Sequence, residues 1–220
     1  METSLLLVTV ILSALVATSY SITCIKCMGM SDTPCSGPEV TCASKDDVCI
    51  LTYTVSSFGG MGDSHTYMRD CGNRKSCSAC MSFSNLAGKS KSASSCCHTD
   101  RCTPAQPVIP ADNYNKNGVR CKTCMDLTDK PCQTDTYVDC LGEEKKCISQ
   151  VSTIKAGPGS AMSMAIRACA TEELCDLAPA EQTYGQFSVK MQSTCTGGGS
   201  GLHYNFFLLL MSASLLLKFI

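Results

Sequence analysis

The same ladder of eight cysteines is written twice in this chain, the second copy about 97 residues after the first. Cys24, Cys27, Cys35, Cys42, Cys49, Cys71, Cys77 and Cys96 recur as Cys121, Cys124, Cys132, Cys140, Cys147, Cys169, Cys175 and Cys195. The offset drifts only from 97 to 99 residues over the whole set. Neighbours repeat as well: Pro34 before Cys35 matches Pro131 before Cys132, and Arg69 and Arg167 each stand two residues ahead of the sixth cysteine. A spacing kept this closely marks an internal repeat, so the sequence reads as two copies of one small unit.

A unit of this composition cannot rest on hydrophobic burial. Residues 22–102 hold ten Leu, Ile, Val or Phe side chains in 81 positions, and the chain has no tryptophan. An ~80-residue unit so poor in apolar residues barely offsets its chain entropy and needs covalent help. The 19 cysteines in 220 residues supply it. Each bridge adds ~2–4 kcal/mol, largely by restricting the unfolded state. Such a cysteine density belongs to exported proteins.

The two ends agree with export. Residues 5–16 (LLLVTVILSALV) form an apolar run of signal-peptide length, too short to cross a bilayer, with cleavage expected after Ser21. At the other end Gly197, Gly198, Gly199 and Ser200 lead through a short polar spacer into the apolar run FFLLLMSASLLLKFI. Small residues, spacer and apolar tail are the signature of glycolipid (GPI) attachment, with Gly197 the expected attachment residue. Fifteen residues reach only ~22 Å as a helix, against ~30 Å of hydrocarbon, and Lys218 interrupts them. The expected organisation is therefore a signal peptide over residues 1–21 and a first domain over 22–103. A linker over 104–118, a second domain over 119–197 and a discarded propeptide over 198–220 complete it.

Between the ends the pattern is β. Ile50–Val55 leads through Gly59–Gly62 to His65–Arg69, and Ile148–Ile154 leads through Ala156–Gly159 to Ser163–Arg167. β-branched residues around a glycine-rich turn predict a hairpin in each repeat. A third, less regular loop is expected between Cys77 and Cys96 and between Cys175 and Cys195. No segment looks helical over three turns. The linker has three prolines and no cysteine, which predicts an extended segment.

Eight cysteines allow 105 pairings, so spacing does not give connectivity. The order C-x2-C-x7-C-x6-C-x6-C, a long hairpin, then Cys96-Cys97-His-Thr-Asp-Arg-Cys102 resembles the three-finger superfamily of the urokinase receptor, lymphocyte antigen 6 proteins and snake neurotoxins. With Arg167-Ala-Cys-Ala-Thr-Glu-Glu-Leu-Cys175 in its second repeat, the chain is similar to the gamma-type subunits of phospholipase A2 inhibitors. The resemblance implies two tandem all-β, disulfide-rich domains, each with small antiparallel sheets and loops projecting from a cystine-rich base. It further implies the bridges Cys24–Cys49, Cys27–Cys35, Cys42–Cys71, Cys77–Cys96 and Cys97–Cys102, then Cys121–Cys147, Cys124–Cys132, Cys140–Cys169 and Cys175–Cys195. Two departures stand out. Thr103 follows Cys102 where the family places asparagine, and the second repeat lacks the final Cys-Cys…Cys element, so its end is expected to be looser.

Cys80 is left over. Three fates are open: a bond between chains, which makes a disulfide-linked homodimer, competition with Cys77 for Cys96, or a buried free thiol. The Cys-x-x-Cys pairs at Cys24, Cys77 and Cys121 read as structural disulfides rather than zinc or redox motifs, given the repeat and the export signal. The three histidines, His65, His98 and His203, stand far apart, and no catalytic or phosphate-loop motif is present, so neither catalysis nor a metal or cofactor is expected. The net charge of −1 argues against nucleic acid.

What remains is recognition of an extracellular or cell-surface protein. Loops on a cross-linked base offer binding surface at low ordering cost. The expected tips are residues 58–64 and 85–91 in the first repeat and 156–162 and 183–187 in the second. Phe58, Met61, Tyr184 and Phe187 carry the largest apolar payload there, and the methionines Met61 and Met68 on one finger and Met162 and Met164 on another either fill gaps in a thin sheet or suit an adaptable surface. The expected function is that of an anchored binding protein on the outer face of the plasma membrane, acting in adhesion, as a receptor or in ligand capture. Inhibition of a secreted phospholipase and modulation of a membrane receptor or channel are the alternatives the resemblance implies.

Overall fold

The computed structural model describes residues 21–60, 62–157, 159–176, 180–185 and 187–197. The expected signal peptide before Ser21, the tail beyond Gly197 and Met61 lie outside the described residues. The chain is nearly all-β and divides into two compact units. Residues up to 80 together with 91–110 make the first, and residues 81–90 together with 111 onward make the second.

In the first unit β1 (Thr23–Ile25) pairs antiparallel with β3 (Glu39–Thr41). β2 (Cys27–Met30) pairs with β5 (Asp63–Asn73), and β5 pairs along its whole length with β4 (Asp47–Phe58). Beyond the single-turn 3-10 helix Arg74–Ser76 comes β6 (Cys80–Asn85), then β7 (Gly88–Cys97), whose residues from 91 on lie beside β4. Cross-strand hydroxyl pairs mark that seam: Thr52 Oγ1 to Ser94 Oγ at 3.0 Å and Thr54 Oγ1 to Ser92 Oγ at 2.8 Å. Gly59 and Gly60 turn β4 into β5 with φ of 61° and 71°, a backbone conformation that side chains with a Cβ resist. Sulfur fills much of the centre, where buried Cys24, Cys42 and Cys49 pack with Ile22, Cys71, Cys97 and Cys102. Residues 103–115 form no strand but do not run free as far as Pro110: Gln106 Nε2 donates to Tyr67 Oη at 3.0 Å, Lys91 Nζ donates to the Pro110 carbonyl at 2.6 Å, and Pro104 is buried.

In the second unit β8 (Lys116–Lys122) pairs with β10 (Tyr137–Leu141). β9 (Cys124–Asp126) pairs with β12 (Ala161–Ala170), and β12 pairs with β11 (Lys146–Ala156). A four-residue helix α1 (Glu172–Cys175) leads on to β13 (Ala180–Tyr184) and β14 (Phe187–Gly197). β14 pairs with β11 through eleven residue pairs, from Ala156↔Phe187 to Lys146↔Gly197. The third loops expected to be irregular are thus strands in both repeats. The expected looseness of the second repeat's end does not occur either, because Thr196 and Gly197 stay in the ladder opposite Cys147 and Lys146.

Residues 81–90 come from the first repeat and complete the second unit. Phe83 and Ser84 pair with Ala170 and Cys169 of β12, and the Phe83 ring packs on buried Ile148, Ala168 and Ala170. Thr171 gives up the usual N-cap bond of α1 because its Oγ1 accepts from the Ser82 amide at 3.1 Å, while its own amide donates to the Ser82 carbonyl at 3.0 Å. The buried Glu144 carboxylate accepts from Ser82 Oγ at 2.8 Å and from Ser84 Oγ. A buried carboxylate is tolerated when it is hydrogen-bonded in this way.

Candidate functional site

Nine disulfides fix the bases from which the fingers project: Cys24–Cys49, Cys27–Cys35, Cys42–Cys71, Cys77–Cys96 and Cys97–Cys102, then Cys121–Cys147, Cys124–Cys132, Cys140–Cys169 and Cys175–Cys195. Three groups of cysteines bring their sulfurs within 4.8 Å of one another, but every member is in a disulfide and offers no thiolate to a metal. Cys80 forms no disulfide and is exposed rather than buried; it begins β6, and its Sγ lies 4.0 Å from the Ser78 carbonyl. With Cys77 bonded to Cys96, Cys80 does not displace it in this structure.

The central finger of the first unit carries an aromatic stack along one face. Tyr53 lies parallel to Tyr67 with ring centroids 4.7 Å apart and to His65 at 5.9 Å, and Tyr53 Oη bonds to His65 Nδ1 at 2.7 Å. Burial first, then the neighbouring Tyr67, hold the Tyr53 phenol above its ordinary pKa. Tyr67 is fully buried, so the stack stiffens the finger from within. At its tip Ser57 Oγ bonds to the Asp63 carboxylate, and Phe58, the last residue of β4, is half-buried.

The expected tip at residues 85–91 is engaged. Asn85 Oδ1 accepts from the Ala87 and Gly88 amides at 2.9 and 3.0 Å, which shapes the turn from β6 into β7, and the Leu86 amide donates to Thr123 Oγ1 at 3.3 Å. Lys89 pairs with Asp112 and sits 5.6 Å from the Tyr114 ring centroid. These bonds tie the turn to the second unit, while the Leu86 side chain at its tip stays 66% exposed.

The second unit presents the more open surface. Directly opposed residues of an antiparallel pair point to the same face. The register Ile154↔Met162 and Ile154↔Val189 therefore sets Met162, Ile154 and Val189 in one row across β12, β11 and β14. Met164, Ser152 and Met191 make the next row toward the base, and Ala168 with Ile148 lie further down the same face in the buried core. The stripe emerges from core to solvent along β12, where Ala168, Ile166, Met164 and Met162 follow one another and exposure rises from 2% at Ile166 to 66% at Met162. On β11, Gln150 and Ser152, bonded to each other at 2.8 Å, stand between buried Ile148 and exposed Ile154. Of the aromatic candidates at the neighbouring tip, Tyr184 is 7% exposed and so is not offered as a free ring: it folds back on its own sheet. Phe187 closes the β13–β14 turn opposite Tyr184. In the sequence Met162 and Met164 draw notice only alongside Met61 and Met68 and not as binding candidates, and nothing there marks Ile154 and Val189. Their shared row depends on the β11–β14 register, which no local spacing reveals.

Comparison with known proteins agrees with this architecture. The u-PAR/Ly-6 domain model matches residues 20–105 and again 117–199. A phospholipase A2 inhibitor of the gamma type from Gloydius brevicaudus siniticus is 26% identical over 165 residues, 73% of this chain and 80% of that protein. The urokinase plasminogen activator surface receptor of Aotus trivirgatus is 28% identical over 161 residues, 69% of this chain but only 46% of the receptor. The crystal structure of mouse TEX101 aligns over 80% of this chain and 99% of its own, at 16% identity with a TM-score of 0.33. With both halves matched, the chain belongs to the u-PAR/Ly-6 domain family.

Proposed function

We propose that this chain is a binding protein of the outer cell surface, joined to a glycolipid at Gly197, that recognises an extracellular protein through the fingers of its second unit. The observation that supports this reading is the row Met162–Ile154–Val189, which continues a buried apolar stripe into solvent on strands tied at their base by four disulfides. A rigid, partly apolar surface binds without a large ordering cost, and methionine adapts to irregular partners. No helix among the described residues is long and apolar enough to cross a membrane, so attachment in this reading rests on the tail.

Expressed in full on animal cells, the protein should be released by a phosphatidylinositol-specific phospholipase. The released protein should bind intact cells or matrix, and Met162→Asp should abolish that binding without lowering thermal stability. Retention after the phospholipase sinks the anchor. Undiminished binding by the Met162 variant sinks the surface assignment.

A second reading follows from the relatives named as phospholipase A2 inhibitors, which align over 73% of this chain. Here the same row would meet a secreted phospholipase A2. Inhibition of a purified panel of such enzymes at micromolar protein would favour it, and activity unaffected across the panel would remove it. Cys80, exposed and unbridged, adds a testable route to a homodimer. A disulfide-linked dimer should run at twice the monomer mass on non-reducing gels and vanish in Cys80→Ser, whereas a monomer in both excludes the bond.

A further inference from the structure

At the base of the second unit, on the face of the β11–β12–β14 sheet opposite the apolar stripe, lies a cleft of about 700 Å³. Its floor is the cross-strand row Arg167–Ser149–Thr194 and, one step on, Thr196 opposite Cys147. β8 supplies Arg120 and Lys122, and β10 supplies Tyr137. The Tyr137 ring orders both cations, with the Arg120 guanidinium carbon 5.1 Å and Lys122 Nζ 5.9 Å from its centroid.

The chemistry of the lining is one-sided. Arg120, Lys122 and Arg167 face the cleft, and among the described residues no carboxylate lines it. Asp139 and Asp135 reach Arg120 and Lys122 from outside the lining, at 3.9 and 3.1 Å. Asp139 engages Lys116 more closely, at 2.7 Å, and Asp135 is fully exposed, so water screens both pairs. Arg167 anchors itself through Nε to the Cys132 carbonyl at 2.8 Å, which leaves its terminal nitrogens as donors. The hydroxyls of Ser149, Thr194 and Thr196 have no protein partner among the described residues. Guanidinium forks and hydroxyl donors without a competing acid are the complement of a tetrahedral oxyanion.

Position narrows the ligand. Gly197, the last residue of β14, itself lines the cleft. In the glycolipid reading, its carbonyl is followed by ethanolamine and then a phosphodiester. We propose that this cleft is a phosphate-binding site, and that the group it takes is the phosphodiester attached through ethanolamine to Gly197. The source rests on the anchoring reading above; the anion chemistry does not. Docked this way, the phosphate fixes the second unit to its own anchor rather than leaving it to swivel about the bond between Gly197 and ethanolamine.

Two preparations of the full chain test this. Refolded with its nine disulfides from a host that adds no glycolipid, the chain should broaden the phosphorus resonance of O-phosphoethanolamine. Arg120→Gln combined with Lys122→Gln should weaken that binding by about ten-fold or more, the scale of a lost charge-assisted hydrogen bond. Lys145→Gln, outside the cleft, should leave it unchanged. No binding by the disulfide-complete chain, or equal binding by the double variant, overturns the phosphate site and leaves the anchoring reading intact. Made in animal cells, the anchored chain should bind no added O-phosphoethanolamine, because its own phosphate occupies the cleft. Binding there as strong as in the refolded chain overturns the tethered source and assigns the cleft to free phosphate or a neighbouring headgroup. Failure of the phosphatidylinositol phospholipase to release the chain overturns the anchor, and the tethered source with it.

Discussion

The two repeats share a ladder of eight cysteines but close their ends by different means. In the first repeat, the segment after Cys96 folds into the small Cys97–Cys102 loop. Within that loop the Arg101 amide donates to the Thr23 carbonyl at 2.9 Å, and Asp100 Oδ1 accepts from the Thr23 amide at 2.8 Å, pinning the short β1. In the second repeat the loop is missing. There β14 runs on through Thr196 and Gly197 in register with β11, and the entry strand β8 has seven residues where β1 has three. A covalent clasp in one unit is replaced by backbone ladder in the other. The eight shared cysteines suffice to specify the fold, and the remaining closure can be covalent or hydrogen-bonded.

The comparison breaks most visibly at the buried bridges. Cys140 and Cys169 are both fully buried and close a separation of 29 residues, whereas Cys97–Cys102 closes five. Loop-closure entropy gives about 3.5 kcal/mol for the longer loop and about 2 kcal/mol for the shorter. Cys140→Ala with Cys169→Ala should therefore destabilise the second unit more than Cys97→Ser with Cys102→Ser destabilises the first. Hydrogen exchange read separately over the two units in denaturant is the measurement. Equal losses would show that the small loop contributes through its bonds to Thr23 as well as through its closure.

The repeat, the all-β class and the two finger hairpins were legible because cysteine spacing and β-branched runs around glycines are local signals. Connectivity was not, since eight cysteines admit 105 pairings and only the resemblance selects among them. The partition of the first repeat's third finger was also hidden. Ser82 and Ser84 look like ordinary strand hydroxyls, and their acceptor, Glu144, lies some sixty residues away in a turn dense with charge. Tyr184 illustrates the same limit at the candidate site. An aromatic residue beside a turn reads as a tip anchor, but the register of β13 on β14 lays it on the apolar face of its own sheet. Residues whose role depends on a distant strand leave no periodic trace.

That third finger sharpens the comparison further. In the second repeat, β13 and β14 bond within their own sheet. In the first, Ser82 and Ser84 donate to the buried Glu144. Ser82→Ala together with Ser84→Ala deprives the carboxylate of two donors, and bonds to a charged group contribute about 1.5–3 kcal/mol each. A loss of about 3 kcal/mol in the protection of residues 81–90 is expected, with β13–β14 protection unchanged. If both segments loosen together, the two third fingers are not energetically distinct.

The smallest expected difference concerns a charged side chain that the repeats keep at the same position. Arg69 and Arg167 both reach back to the carbonyl of the third cysteine of their own ladder, Cys35 and Cys132, and so tie the central finger to the first. The geometry differs. Arg167 Nε meets its acceptor at 2.8 Å, a charge-assisted bond of ordinary strength. Arg69 offers Nη1 at 3.4 Å, while its buried Nε has no hydrogen-bond partner. An unsatisfied buried donor costs free energy that removal of the side chain recovers. Methionine keeps the length and apolar stem of either arginine without its donors. Arg167→Met should therefore cost about 2 kcal/mol and Arg69→Met less than about 1 kcal/mol, measured as the change in local exchange stability of β12 and β5. The order of the two losses is the test: a larger one at Arg69 would mean that its Nε is satisfied in solution and that the two arginines work alike.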